Sequence, residues 1–132
     1  MSWQVYIDDT LLGAKPKCVA KAAIFSQDGL QWATSSGFQV TAQEVTTIVH
    51  GISVDQTPFH EKGLRLSGEK YTVVRVDPDC RMVYARRGKD AGCCCQLTNR
   101  ALVIAVYEAG MQAGQCNNRV EKLVDYLKEQ KF

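Results

Sequence analysis

The sequence predicts an α+β domain in which a central antiparallel sheet is flanked by helices at both ends of the chain. Three observations predict it. Between Leu64 and Tyr107, short runs of β-branched and apolar residues alternate with turns too short for parallel crossovers. At the two ends, apolar residues recur instead at helical spacing. No repeat, linker or low-complexity segment interrupts the 132 residues. A single domain over residues 1–132 follows, long enough to bury roughly two-thirds of its unfolded surface.

The opening stretch, Ser2 to Leu12, reads as a helix with Ser2 as its N-cap. At 3.6 residues per turn, Trp3, Tyr6, Ile7 and Thr10 share one face, Val5 and Leu12 lie roughly opposite, and Leu11 falls between. Apolar groups on both sides require two contacts. One side packs on the domain; the other is either more core or a platform holding Trp3 and Tyr6 for a ligand. Cys18–Ser26 and Leu30–Ser35 then read as strands around Gln27-Asp28-Gly29, where Asp-Gly signals a two-residue hairpin and Trp32 sits in the second strand.

Thr41-Ala42-Gln43-Glu44 has capping-box spacing, with Val45, Ile48, Val49 and Ile52 behind it. That predicts a helix of about three turns, ending near Gly51. Asp55–Lys62, containing Phe59 and His60, predicts a short helical turn closed by Gly63. A meander follows through Leu64–Leu66, Lys70–Val76, Arg81–Arg86, Cys93–Thr98 and Ala101–Tyr107. Its turns are Ser67-Gly68, Asp77-Pro78-Asp79, Arg87–Gly92 and Asn99-Arg100. The closing helix takes Asn118 as N-cap and Glu121 as N3, with an apolar stripe of Val120, Leu123, Val124 and Leu127. Tyr126 lies well off that stripe, and Phe132 is the final residue.

Composition excludes several classes. A net charge of +2 is too small to indicate a nucleic-acid partner. No apolar run approaches the ~20 residues of a membrane span, and no basic segment leads into a hydrophobic signal core. The chain is expected to be cytoplasmic. Its six cysteines are Cys18, Cys80, Cys93, Cys94, Cys95 and Cys116. Three are consecutive, and neighbours on a strand point to opposite faces, which argues against a disulfide framework. No Cys-x-x-Cys pair supports zinc, so neither a metal nor another cofactor is expected. The cysteines read as reduced, buried, small apolar residues.

Should the two end helices share a sheet face, Trp3, Tyr6, Tyr126 and Phe132 converge, with Trp32 joining from the neighbouring strand. Rigid rings separated by shallow grooves suit a polyproline II segment, which is already extended and presents flat pyrrolidine faces. Indole N–H and phenol O–H groups then donate to its carbonyls.

Several stretches resemble the profilin family: the opening Ser-Trp-Gln-Val-Tyr-Ile-Asp-Asp, the Asp-Gly-x-x-Trp-Ala of the first hairpin, and the closing Val-Glu-Lys-Leu-Val-Asp-Tyr-Leu. Tyr-Ala-Arg-Arg-Gly-Lys-Asp-Ala-Gly resembles the family's basic turn, and Ala-Leu-Val-Ile-Ala-Val-Tyr its last strand. The resemblance runs from residue 2 to 132. It implies a six- or seven-stranded antiparallel sheet with the terminal helices on one face and smaller helices on the other. It also implies a non-enzyme of the cytoplasm and cytoskeleton that binds monomeric actin, proline-rich segments such as those of actin-assembly factors, and phosphoinositide head groups. Carried over by position, the polyproline site is Trp3, Tyr6, Trp32, Tyr126 and Phe132; vertebrate members carry histidine at the place of Tyr126.

The matching actin-binding positions are Phe59, His60, Lys70, Thr72, Val73, Arg75, Arg86, Met111, Gln112, Gly114, Asn118 and Lys122. Asn118 stands where vertebrate members have lysine, and Ala113 where a proline is frequent. Arg86, Arg87 and Lys89 are the dense basic cluster, either for a phosphoinositide head group or as a solvated turn. The functional expectation is an actin-monomer and polyproline adaptor that promotes nucleotide exchange on actin. The alternatives are a polyproline adaptor with weakened actin binding, or a thiol-dependent enzyme using one of Cys93 to Cys95.

Overall fold

The structure is a computed structural model that describes residues 3–13, 15 and 17–132; the Ser2 cap lies outside the described residues. Seven strands form: β1 (Lys21–Ser26), β2 (Gln31–Thr34), β3 (Leu64–Leu66), β4 (Glu69–Asp77), β5 (Met82–Arg87), β6 (Ala91–Leu97) and β7 (Ala101–Tyr107). They make one sheet in the order β2-β1-β7-β6-β5-β4-β3. Every pairing is antiparallel, as the short turns require. Helices are α1 (Trp3–Val5), which runs into a π-helical segment over Tyr6–Leu12, then α2 (Ala42–Ser53), α3 (Thr57–Lys62) and α4 (Ala113–Glu129).

The sheet divides two cores. On one side Val45, Ile48 and Ile52 of α2 and Phe59 of α3 pack with Leu64, Tyr71, Val83, Ala85, Cys93, Cys95 and Ile104. On the other, Ile7 and Leu11 join Cys116, Val120, Leu123, Val124 and Leu127 of α4 over Ala22, Ile24, Cys94, Val103 and Ala105. The terminal helices therefore share one face and the smaller helices the other. The cysteine run follows the pleat: Cys93 and Cys95 enter the first core and Cys94 the second.

Local chemistry sets the clearest boundaries. The Thr41 side chain accepts from Glu44 N and the Glu44 carboxylate from Thr41 N, completing the capping box. The same carboxylate accepts from Ser67 N and Gly68 N, both at 2.9 Å, fastening the β3–β4 turn to the helix start. Gly63 closes α3 at φ 74 with its N–H on Phe59 O.

Five expectations are corrected. The first hairpin uses three turn residues rather than two: Ser26 N meets Leu30 O, and Gly29, at φ 101, completes a turn on Ser26 O. α2 does not end near Gly51; it runs to Ser53. Gly51 is buried because the Phe59 ring occupies the space a Cβ would fill. Asn118 is not an N-cap. α4 starts at Ala113 after Gln112, because buried Cys116 extends the apolar stripe one turn upstream of Val120. The opening helix departs from a 3.6 period, since most of it is π-helical with hydrogen bonds that step one residue further. Finally, Ile7 and Leu11 are the sealed pair at 0% exposure, whereas Val5 is 42% exposed and Leu12 only half-buried.

Candidate functional site

Trp3 is the hub of an aromatic cluster. Its ring centroid lies 4.6 Å from Trp32, 4.9 Å from Phe132 at an interplanar angle of 80°, and 5.6 Å from Tyr6. Tyr6 in turn lies 6.1 Å from Tyr126. All these separations fall within the range of favourable ring pairs. Trp3, Tyr6, Trp32 and Phe132 are half-buried, and Tyr126 is 41% exposed. The rings thus form a ledge that packs on the terminal-helix core and still faces water.

Polar contacts fix this ledge. Gln4 Nε2 donates to Thr34 O at 3.0 Å, tying the opening helix to the strand that carries Trp32. Arg119 of α4 donates to Leu11 O at 3.4 Å, satisfying a carbonyl at the end of the π-helical turn. Phe132 N donates to Leu127 O at 2.9 Å. Burial, followed by the neighbouring Tyr126 hydroxyl, holds the Tyr6 phenol above its ordinary pKa. Beside the rings an open groove of about 420 Å³ continues between Val5, Tyr6, Thr10, Lys122, Leu123 and Tyr126.

The other end of α4, about 25 Å away at 1.5 Å per residue, overlooks a different surface. Ala113 and Asn117 from its first two turns, with Met111 just ahead of the helix, border a hollow of about 450 Å³ together with Val74, Tyr84, Arg86, Lys89 and Tyr107. Thr72 pairs with Arg86 and Arg75 with Tyr84 across β4 and β5, on the same sheet face. A bulge at Val74 lets this valine stand 59% exposed beside them. Arg86 donates to Lys89 O at 3.2 Å.

Against known proteins, the model of the Profilin family matches residues 1–132. The chain belongs to the profilin family. Profilin-2 of Acanthamoeba castellanii is 39% identical over 132 residues, covering 100% of both chains. The profilin of Drosophila melanogaster is 39% identical over 127 residues, covering 96% of each. The crystal structure of Acanthamoeba castellanii profilin II superposes with a TM-score of 0.91 at 39% identity, covering 99% of this chain and 100% of that one. Mouse profilin IIa, solved in complex with a double repeat from the FH1 domain of mDia1, shares the fold at a TM-score of 0.82 and 24% identity, each chain fully covered. The family expected from sequence, one of actin-binding regulators, is the family found.

The five residues expected from the sequence resemblance to form a polyproline site are brought together. The twelve expected from the resemblance at an actin site are mostly surface: His60, Lys70, Thr72, Arg75, Arg86, Gln112, Gly114, Asn118 and Lys122 are exposed, and Val73 and Met111 half-buried. Phe59 is the exception. At 2% exposure it lies beneath the edge, packed on Gly51, and shapes the surface without offering any.

The basic cluster is divided by strand alternation. Arg87 points to the α2–α3 face, where it pairs with Glu69 at 2.6 Å and lies 5.8 Å over the Tyr71 ring. Arg86 and Lys89 remain together on the hollow. Sequence reasoning missed Asn117, whose Oδ1 is buried without a hydrogen-bond partner beside that hollow. Its position one helical turn after Ala113 becomes visible only when α4 starts at the observed residue.

The cysteine run has no nucleophilic geometry. Cys93, Cys94 and Cys95 are at most 1% exposed. Burial pushes the Cys94 thiol up, and Cys95 is raised by its contact with Cys93 and by burial, which keeps both protonated. Among the described residues no helix is long and apolar enough to cross a membrane.

Proposed function

We propose that the chain is an adaptor that holds a proline-rich segment on the aromatic ledge and an actin monomer against the β4–β5 edge and the start of α4. The observation that carries the reading is Trp3 stacked within 5 Å of both Trp32 and Phe132 while still reaching water. Trp3, Tyr6, Trp32, Tyr126 and Phe132 supply the flat faces and donors that a polyproline II ligand needs. The mouse profilin solved with an FH1 double repeat supports this assignment for a chain of the same fold.

On the actin side, the contacts assigned are His60, Lys70, Thr72, Val73, Arg75, Arg86, Met111, Gln112, Gly114, Asn118 and Lys122, a set with several cations, with Phe59 packed beneath. Such charges orient an acidic partner and speed its approach. Acceleration of nucleotide exchange on actin is the activity assigned to this contact. Arg86 and Lys89, without Arg87, present the paired cations for a phosphoinositide head group, so lipid and actin compete at Arg86.

Titration of poly-L-proline changes tryptophan fluorescence in the unaltered chain, and no change would refute the ledge assignment. A monomeric-actin binding assay repeated with saturating proline-rich peptide shows both ligands held at once; mutual exclusion would overturn the two-surface reading.

A further inference from the structure

From the hydrogen bonds around Phe132 we infer that Thr98, a buried residue outside the ring cluster, is a positioning residue for the ledge. This rests on the ledge being the proline-rich site proposed above. Thr98 is 0% exposed, so its hydroxyl must find partners inside the protein. Locally, Oγ1 accepts from Ala101 N at 2.8 Å and from Arg100 N at 3.2 Å, as a threonine in a tight turn does. Its proton has two acceptors in reach, Ala101 O at 3.4 Å and, much closer, an oxygen outside the turn. Oγ1 donates at 2.7 Å to the main-chain oxygen of Phe132, and Arg100 N donates to that same oxygen.

The β6–β7 turn is held from its other side by the first hairpin. Gln27 Nε2 donates to Thr98 O at 2.9 Å, and Gln27 N to Arg100 O at 3.2 Å. That hairpin leads into β2 and Trp32. One turn therefore joins the two elements whose rings stand on either side of Trp3, at 4.6 Å and 4.9 Å. The Thr98 hydroxyl closes the connection on the Phe132 side. With it in place, Phe132 is an end wall held at three points; without it, only the Arg100 N and Leu127 O contacts remain, and a ligand must supply part of the ordering on binding.

The test is a double-mutant cycle read by calorimetric titration with poly-L-proline. Thr98→Val keeps the shape but removes the donor to Phe132 together with the acceptor for Ala101 N and Arg100 N, and weakens binding about three- to tenfold, the scale of one net hydrogen bond at the ledge. Phe132→Ala weakens binding by at least as much. The double variant is no weaker than Phe132→Ala alone, because Thr98 acts through that ring. Thr98→Ser, which keeps the hydroxyl, binds as the unaltered chain does. Additive losses, a serine variant as weak as the valine one, or full affinity in Thr98→Val would each overturn the inference. If Thr98→Val does not fold, Phe132→Ala and Thr98→Ser carry the test: unchanged affinity in the first or a loss in the second overturns it. Failure of the unaltered chain to bind removes the proline-rich site and the role of Thr98 with it. Binding by the unaltered chain together with any overturning result removes the role of Thr98 alone.

Discussion

The aromatic ledge and the β4–β5 edge lie at opposite ends of α4 and are built by opposite means. On the ledge each ring touches another, and the backbone beneath is tied across the sheet by Gln4, Arg119 and Thr98. Little side-chain freedom is left to lose when a ligand arrives. The edge instead presents exposed Lys70, Arg75 and Arg86, long side chains held by single surface contacts at most, Arg75 on Asp77 and Arg86 on Lys89 O. A preformed ledge suits a short, weakly featured ligand that supplies little binding energy of its own. An exposed charged edge suits a large partner whose own surface completes the contacts.

The largest expected effect tests the ledge. Trp3→Ala removes the ring that touches three others, and poly-L-proline affinity falls by at least about thirtyfold, as for a central anchor. Trp32 remains as the fluorescence reporter, and actin binding is unchanged. Loss of both activities would show that the two surfaces are not independent.

A second experiment asks whether the two faces unfold separately. Cys116 and Tyr84, both raised by burial to about 12, lie on the ledge face, where burial also raises Cys94. Tyr71 and Cys95 are raised on the other. In every case the folded state favours the neutral form. The resulting stability is fully present below the ordinary values of 9.0 for thiols and 10.0 for phenols, and is lost as pH climbs towards 12. Circular dichroism should show one alkaline transition; two would mean that the faces melt apart.

Gly51→Ala comes next. A methyl group there collides with the Phe59 ring, lowering stability by about 1–3 kcal/mol in urea unfolding. Displaced Phe59 reshapes the actin edge, so actin affinity drops while poly-L-proline binding is kept. Arg86→Glu should slow actin association several-fold at low salt, an effect that fades as salt rises. Smallest is Arg87→Ala, which breaks a largely exposed pair with Glu69 worth under about 1 kcal/mol. It should also leave binding to phosphoinositide vesicles nearly intact where Arg86→Ala weakens it.

Legibility in the sequence followed the range of the interaction responsible. Thr41 and Glu44 announce the start of α2 because a capping box is made by neighbours. Cys93 to Cys95 announce their alternate burial because a strand has a fixed period. The same period separates Arg86 from Arg87, yet their adjacency in sequence suggested one cluster; only the Glu69 partner across the sheet shows where Arg87 goes. The start of α4 was misplaced because Asn118 offers a cap that the helix bypasses, and the compensating signal, Cys116 acting as an apolar residue, is carried by packing. Among the ring residues, membership of the ledge followed from family resemblance, whereas the order in which the rings touch came only from coordinates.

The π-helical turn over Tyr6–Leu12 has a consequence for anyone redesigning the beginning of this chain. A widened turn holds one amino acid more than an α-helix of the same height. Deleting Asp9 would let ordinary hydrogen bonding resume while Ile7 and Leu11 compete for their old sockets. The shorter chain and the tighter turn offset each other, so everything upstream would keep nearly its present facing. The first indole should stay on its neighbour in a shorter and more regular helix.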